Sequence, residues 1–103
     1  MRIISRPILL RFLATEPGAA PAVDRWWREA NRATWKDPHE VKAFMASTSI
    51  IDAERVVFNL AGNRYRLVCA IVYDKATIFI KFIGTHRQYD AIDAATIEPT
   101  GAP

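Results

Sequence analysis

Side chains that bind phosphate or transfer protons are concentrated in the second half of the chain. The set comprises Arg64, Arg66, Lys81, His86 and Tyr89. Guanidinium and ammonium groups bind phosphate oxygens, an imidazole can accept or deliver a proton near neutral pH, and a phenol can share that role or stack a base. RNA cleavage without a metal requires deprotonation of the 2′-hydroxyl, stabilisation of the phosphorane and protonation of the departing oxygen. These residue types therefore match that chemistry.

Each of these residues also has an ordinary structural interpretation. Arg64 and Arg66 would be solvated charges on an exposed strand, and Lys81 would be a lysine that blocks an edge strand. His86 and Asp90 would form an i to i+4 pair on a helix surface. From residue types and spacing alone, an RNA-cleaving enzyme and a passive RNA-binding protein both remain open.

Composition and motifs argue against several other kinds of site. The two histidines, His39 and His86, have no second histidine or cysteine at ligand spacing, so we expect neither a metal nor a cofactor. The four glycines form no phosphate-binding loop, and there is no nucleophile elbow. No apolar stretch approaches the length of a membrane span, so no membrane partner is expected. The single cysteine, Cys69, has no intrachain partner, which favours a reducing compartment and predicts a cytoplasmic protein.

The overall composition predicts one domain with a basic surface. The 103 residues are 50% hydrophobic and 24% charged, which is enough apolar material for one packed core. The formal net charge is +3, and residues 54–90 combine a basic excess with alternating apolar positions, as a polyanion-binding sheet would need. We expect a single domain over residues 1–98 and a disordered tail over residues 99–103.

Helical periodicity occupies the first half of the chain. After a short opening strand, apolar residues at spacings of three and four predict a helix over residues 7–14 and a second helix after Pro21. Residues 37–40, Asp-Pro-His-Glu, have the types typical of a helix N-terminus, and this third helix should end near Met45. We expect the three tryptophans of this half to anchor the core rather than to stack RNA bases.

After Glu54 the pattern becomes alternating. Runs over residues 56–60, 65–73 and 77–83 predict three strands joined by tight turns. Sequential strands with tight turns form an antiparallel meander, and the preceding helices must cover one of its faces. The predicted fold class is therefore α+β.

The end of the third predicted strand carries a helix start signal. Thr85 and Gln88 fit a capping box, which predicts a helical turn with His86, Tyr89 and Asp90 on one side. In an antiparallel pair, the start of the second strand and the end of the third strand lie side by side. We therefore expect the five phosphate-binding and proton-transferring residues within reach of one phosphate.

Two segments in this half together resemble the HigB toxins of bacterial type II toxin–antitoxin systems. Residues 58–66 read F-N-x-x-G-N-x-Y-R, and residues 84–90 read G-T-H-x-x-Y-D. The order of the two motifs makes the resemblance more specific than either motif alone. The first half of the chain matches more loosely, at Trp35, Lys36, Pro38 and Lys42.

This resemblance implies a RelE-like fold and a metal-independent endoribonuclease that cleaves mRNA in the ribosomal A site and inhibits translation and growth. It also implies a cognate HigA-type antitoxin, which neutralises the toxin and joins it on operator DNA. By motif position, the implied catalytic residues are Arg64, Arg66, Lys81, His86 and Tyr89, and the implied RNA-binding residues are Lys36, Lys42 and Arg87. The alternative is a non-catalytic RNA-binding regulatory module that uses the same basic face.

Overall fold

A computed structural model describes residues 1–99 of the chain, and these contain five strands and four α-helices. The strands are β1 (Arg2–Ile4), β2 (Ser49–Ile50), β3 (Arg55–Leu60), β4 (Tyr65–Val72) and β5 (Thr77–Thr85). The helices are α1 (Arg6–Thr15), α2 (Ala20–Arg32), α3 (Pro38–Phe44) and α4 (His86–Tyr89). Within residues 1–99, no helix combines the length and the apolar character that a membrane crossing requires.

The strands form one mixed sheet in the order β1-β5-β4-β3-β2. Strands β3, β4 and β5 form the predicted antiparallel meander, so the α+β prediction is confirmed. The predicted opening strand, β1, pairs in parallel with β5, and the two-residue strand β2 pairs with β3 on the other side. The alternation pattern predicted neither of these two pairings.

Alternation along the central strands puts the larger apolar cluster on the face that α1 and α2 cover. Trp26 of α2 is 1% exposed, and its ring centroid lies 5.4 Å from that of Phe58 on β3. Trp35 is also buried and packs against Phe44 and Phe58. Trp26 and Trp35 are therefore core anchors, as expected, and Trp27 is partly buried against the same cluster.

Two helices begin at the capping residues that the sequence predicts. The Asp37 carboxylate accepts a hydrogen bond from the backbone N–H of Glu40 at 3.0 Å, which satisfies a free donor of the first turn of α3. At α4, the Thr85 hydroxyl accepts from the Gln88 N–H at 3.2 Å, and the Gln88 side-chain oxygen accepts from the Thr85 N–H at 2.9 Å. This reciprocal box fixes where β5 ends and where α4 begins.

A second apolar cluster lies on the sheet face opposite α1 and α2. Its buried and partly buried members are Ile51, Val57, Val68, Phe82, Tyr89, Ile92, Ala94 and Ile97. The chain after α4, residues 91–99, is here called the C-terminal segment, and its apolar side chains cover this face. The sequence prediction assigned cover to one face only. Of the predicted tail, residues 99–103, all but Pro99 lie outside the described residues, and the single-domain assignment over residues 1–98 stays a prediction.

The C-terminal segment is attached to the sheet by a buried arginine. Arg55 on β3 donates to the carbonyl oxygens of Ala94 at 3.1 Å and Ile97 at 2.7 Å, and it forms an ion pair with Glu98. Glu98 also pairs with Lys81 at 2.7 Å. Val68 pairs with Phe82, and Cys69, the next residue of β4, pairs with Ile80. Lys81 is therefore the extra residue of a β-bulge on β5.

Glycine is required at position 84 by close packing. Gly84 lies opposite Arg66, and a Cβ atom there would lie 2.6 Å from Cζ of Phe82 and 2.9 Å from the capping oxygen of Gln88. We expect Gly84→Ala to lower the free energy of unfolding by about 1–3 kcal/mol, because the methyl group must displace both side chains. Urea denaturation measures this change.

The matched control is Gly18→Ala. A Cβ at Gly18 would lie 3.6 Å from the Tyr65 hydroxyl, which is an ordinary contact distance. This variant should keep the free energy of unfolding within about 0.5 kcal/mol of wild type. Equal losses in the two variants would contradict the steric argument.

The Glu98 ion pairs predict sensitivity to acid. The hydrogen bond from Lys81, with a further contribution from Arg55, holds the pKa of the Glu98 carboxyl below its ordinary value of 4.5. A carboxyl whose pKa is lowered by folding stabilises the protein above its unfolded pKa, and this contribution is lost as pH falls through the folded value. We therefore expect the unfolding free energy of wild type to fall more steeply than that of Glu98→Gln as the pH falls below about 4.5.

Denaturation at several pH values provides the comparison. Asp24→Asn, which removes an exposed carboxylate of α2, should keep the wild-type slope. Parallel curves for wild type and Glu98→Gln would show that the ion pairs add nothing to the attachment of the C-terminal segment.

Candidate functional site

The candidate site lies at one end of the sheet, on the face opposite α1 and α2. Asn59 on β3, Arg66 on β4 and Gly84 on β5 are directly paired across the three strands, so they share this face. Helix α4 follows immediately, and the His86 N–H donates to the carbonyl oxygen of Arg64 at 3.1 Å. The start of β4 and the end of β5 are therefore adjacent, as the sequence predicts.

The Arg66 guanidinium is held from two directions. Its Nη1 donates to Oδ1 of Asn59 at 2.5 Å. Its Cζ lies 5.4 Å from the ring centroid of Tyr89, within the range of a cation–π contact. Nε of Arg66 is buried and has no hydrogen-bond partner among residues 1–99. One donor of this cation is thus in place but unused by the protein.

Asn59 is a site residue to which sequence reasoning gave no role. Besides accepting from Arg66, its Nδ2 donates to the carbonyl oxygen of Ser47, in the loop that follows α3. The signal was present in the sequence, because Asn59 is the second residue of the F-N-x-x-G-N-x-Y-R motif. Its side chain links the loop to the candidate phosphate-binding arginine.

His86 and Asp90 form the i to i+4 pair that the helix start predicts. Nδ1 of His86 lies 3.2 Å from Oδ2 of Asp90, and the side chains are 55% and 62% exposed. Because the carboxylate holds Nδ1, Nε2 is the ring nitrogen left to meet a substrate. Tyr89, which contacts Arg66, lies on the same helical turn, so this turn carries both an imidazole and a phenol.

The side chains of Arg64 and Lys81 contact residues other than Arg66, Tyr89 and His86. Arg64 lies over the ring of Tyr65, with 5.5 Å between Cζ and the ring centroid, and Tyr65 belongs to the helix-covered face. Lys81 is paired with Glu98, and its side chain is 20% exposed. The structure thus groups Arg66 with Tyr89, which shares the turn of α4 with His86, whereas Arg64 and Lys81 have other neighbours.

The implied RNA-binding residues lie on exposed surface. Lys36 precedes α3, and Arg87 is exposed on α4. Lys42 is exposed on α3, and its Nζ donates to the carbonyl oxygen of Thr48 at 2.9 Å. Lys36 and Lys42 lie at α3, whereas Arg87 lies on α4, so the three residues do not share one element.

Other potentially reactive groups lie elsewhere. Within residues 1–99, no three His, Cys, Asp or Glu side chains come together as they would around a metal ion. Cys69 is completely buried beneath the helices, and this burial raises the pKa of its thiol. Burial also raises the pKa of the Tyr73 hydroxyl, to about 12, at the far end of β4.

Comparison with known proteins identifies the family. The sequence model of the HigB toxins, described as the RelE-like toxic component of a toxin–antitoxin system, matches residues 19–92. No curated protein matches the chain. The matched residues include α2, the central meander and α4. They therefore include Asn59, Arg66, His86, Tyr89 and Asp90. The match covers more than half of the sequence, and the fold is α+β. The family implies an antitoxin as the partner. The chain therefore belongs to the HigB toxin family, the RelE-like toxic components of toxin–antitoxin systems.

Proposed function

We propose that this toxin is a ribosome-dependent endoribonuclease that cleaves translated mRNA without a metal ion and thereby inhibits translation and growth. The observation that carries the proposal is the Arg66 guanidinium, which lies partly buried at one end of the sheet against Tyr89, with the His86–Asp90 pair on the same short helix as Tyr89. A cation for phosphate and two groups that can transfer protons are thus present at one end of the sheet.

Arg66 is the proposed ligand of the scissile phosphate. Asn59 occupies Nη1 and Nε is buried, so Nη2 is the donor that can receive a phosphate oxygen. As negative charge accumulates on the phosphorane, a donor already fixed in this position stabilises it without reorganisation.

His86 is the proposed proton-transferring residue. Asp90 orients the imidazole through Nδ1, which leaves Nε2 to take the proton of the 2′-hydroxyl or to deliver one to the departing oxygen. The Tyr89 hydroxyl either performs the second transfer or stacks on a base beside the scissile bond. Both roles require the substrate phosphate to lie against Arg66.

The remaining basic residues are proposed to hold the RNA around this point. Arg64 is exposed and reaches a neighbouring phosphate, whereas Lys81 must release Glu98 before it can contact one. Lys36, Lys42 and Arg87 are exposed and neutralise backbone phosphates of mRNA or ribosomal RNA. Association through such contacts weakens steeply as salt rises.

The proposed dependence on the ribosome rests on which aromatic side chains are accessible to RNA. Cleavage needs in-line geometry, and orientation of that kind accounts for much of the rate in such reactions. The large aromatic residues Trp26, Trp35 and Phe58 are buried in the core, so they provide no platform on which a free strand could be splayed. We propose that the A site of the ribosome positions the message for Arg66 and His86.

The proposed partners follow from this activity and from the family. A HigA-type antitoxin neutralises the toxin, and the complex of the two proteins, rather than the toxin alone, contacts operator DNA. Translated mRNA places the activity in the cytoplasm.

Arg66→Ala tests the function directly. Wild-type protein added to a translation reaction should create new mRNA ends, and it should create few or none on the same mRNA without programmed ribosomes at matched magnesium. Arg66→Ala should cleave about 10²- to 10³-fold more slowly, because a preorganised donor to the phosphorane is lost. Arg32→Ala, which removes an exposed arginine from the C-terminal end of α2, should cleave like wild type.

The outcomes separate the two candidate functions. Tight association with ribosomes or RNA without new ends would mean a non-catalytic RNA-binding module. Equal cleavage with and without ribosomes would show that the protein orients RNA unaided.

His86→Ala tests the proton-transfer role. Removal of one acid–base group should slow mRNA cleavage by about 10²- to 10⁴-fold. Because the imidazole is more than half exposed, the variant should keep the wild-type unfolding transition. Single-turnover cleavage of ribosome-bound mRNA gives the rate, and undiminished cleavage would leave His86 as the first residue of α4 and nothing more.

A further inference from the structure

We propose that Asn59 is a positioning residue, which fixes the Arg66 guanidinium in the orientation that presents Nη2 to phosphate. This inference rests on the proposed function, because it assigns Asn59 to the same site. Asn59 itself touches no reacting atom in this scheme and acts through Arg66.

The strand register brings the two side chains together. Asn59 and Arg66 are directly opposite each other in the antiparallel β3–β4 pair and point to the same face. Nη1 of Arg66 donates to Oδ1 of Asn59 at 2.5 Å. With Tyr89 against the guanidinium, this hydrogen bond removes the remaining rotational freedom of the cation.

The second hydrogen bond of Asn59 explains why an amide suits this position. Nδ2 donates to the carbonyl oxygen of Ser47. A carboxamide has one acceptor end and one donor end, so its nitrogen must face the Ser47 carbonyl and its oxygen must face Arg66. The loop after α3 therefore fixes the side-chain orientation of Asn59, and Asn59 in turn fixes that of Arg66.

The donor that remains is the one suited to phosphate. Nη1 is occupied by Asn59, and Nε is buried without a partner, so Nη2 is the donor left for phosphate. A guanidinium donor held in place makes a charge-assisted hydrogen bond to a phosphate oxygen. If Asn59 were absent, the cation could rotate, and this alignment would be lost while its charge stayed in place.

This reasoning predicts a loss in kcat rather than in KM. The charge of Arg66 and the wider basic surface still attract ribosome-bound mRNA, so KM should stay within about threefold of wild type. Misalignment of a group that acts on the phosphorane should lower kcat by about 10- to 100-fold in Asn59→Ala. Asn31→Ala is the control, because Asn31 is an exposed asparagine that donates only within α2, to the carbonyl oxygen of Trp27 at 3.0 Å.

A spectroscopic measurement tests the positioning independently of activity. In arginine side-chain ¹⁵N spectra of the protein, wild type should show separate Nη signals for Arg66, because rotation of its guanidinium is restricted. Asn59→Ala should merge these signals, and Asn31→Ala should leave them separate. Asn59→Ser, which is too short to reach Arg66, has the same expected results and serves as the test if Asn59→Ala does not fold.

The outcomes distinguish this inference from the proposed function. Separate Arg66 signals in the Asn59 variants, or a rise in KM without a fall in kcat, would overturn the positioning role. Arg66→Ala that cleaves mRNA like wild type would overturn the proposed function, and the spectra would still decide whether Asn59 orients Arg66.

Discussion

The antiparallel register of β3, β4 and β5 is the constraint on which both faces of this toxin depend. Phe58, Leu67 and Ile83 are paired across the three strands and lie beneath the helices, and the next set, Asn59, Arg66 and Gly84, lies on the opposite face. A slip of one residue would exchange the two sets, burying a guanidinium and exposing an aromatic ring. The energy that packs the core therefore also determines where the candidate site lies.

Local sequence patterns predict those elements of the fold that depend on residues close together in the sequence. Alternation identifies the meander, and the capping residues Asp37 and Thr85 locate the starts of two helices. The strand β2 escapes this reasoning because two residues are too short to show a period. The parallel pairing of β1 with β5 joins residues about 75 positions apart in the sequence, and only the packed helices between them bring these strands together.

The site is predicted only in part for the same reason. Alternation places Arg64 and Arg66 on one face, but Arg64 belongs to the turn before β4, where Asn63 has a φ of 74°, so its side chain turns toward Tyr65. The pairing of Lys81 with Glu98 spans 17 residues, and that of Arg55 with Glu98 spans 43. No pattern within a sequence window reports contacts of that span. By contrast, Tyr89 and His86 are positioned by one helical turn, and the sequence predicts their side of α4.

Tyr89 belongs to the second apolar cluster and also lies against Arg66. Tyr89 therefore connects the position of the Arg66 guanidinium with the packing of Ile92, Ala94 and Ile97 onto the sheet. A substitution that loosens the C-terminal segment would displace Tyr89 and thereby change the surroundings of Arg66 from a distance. Loss of toxicity in a cell therefore need not involve any residue of the proposed site.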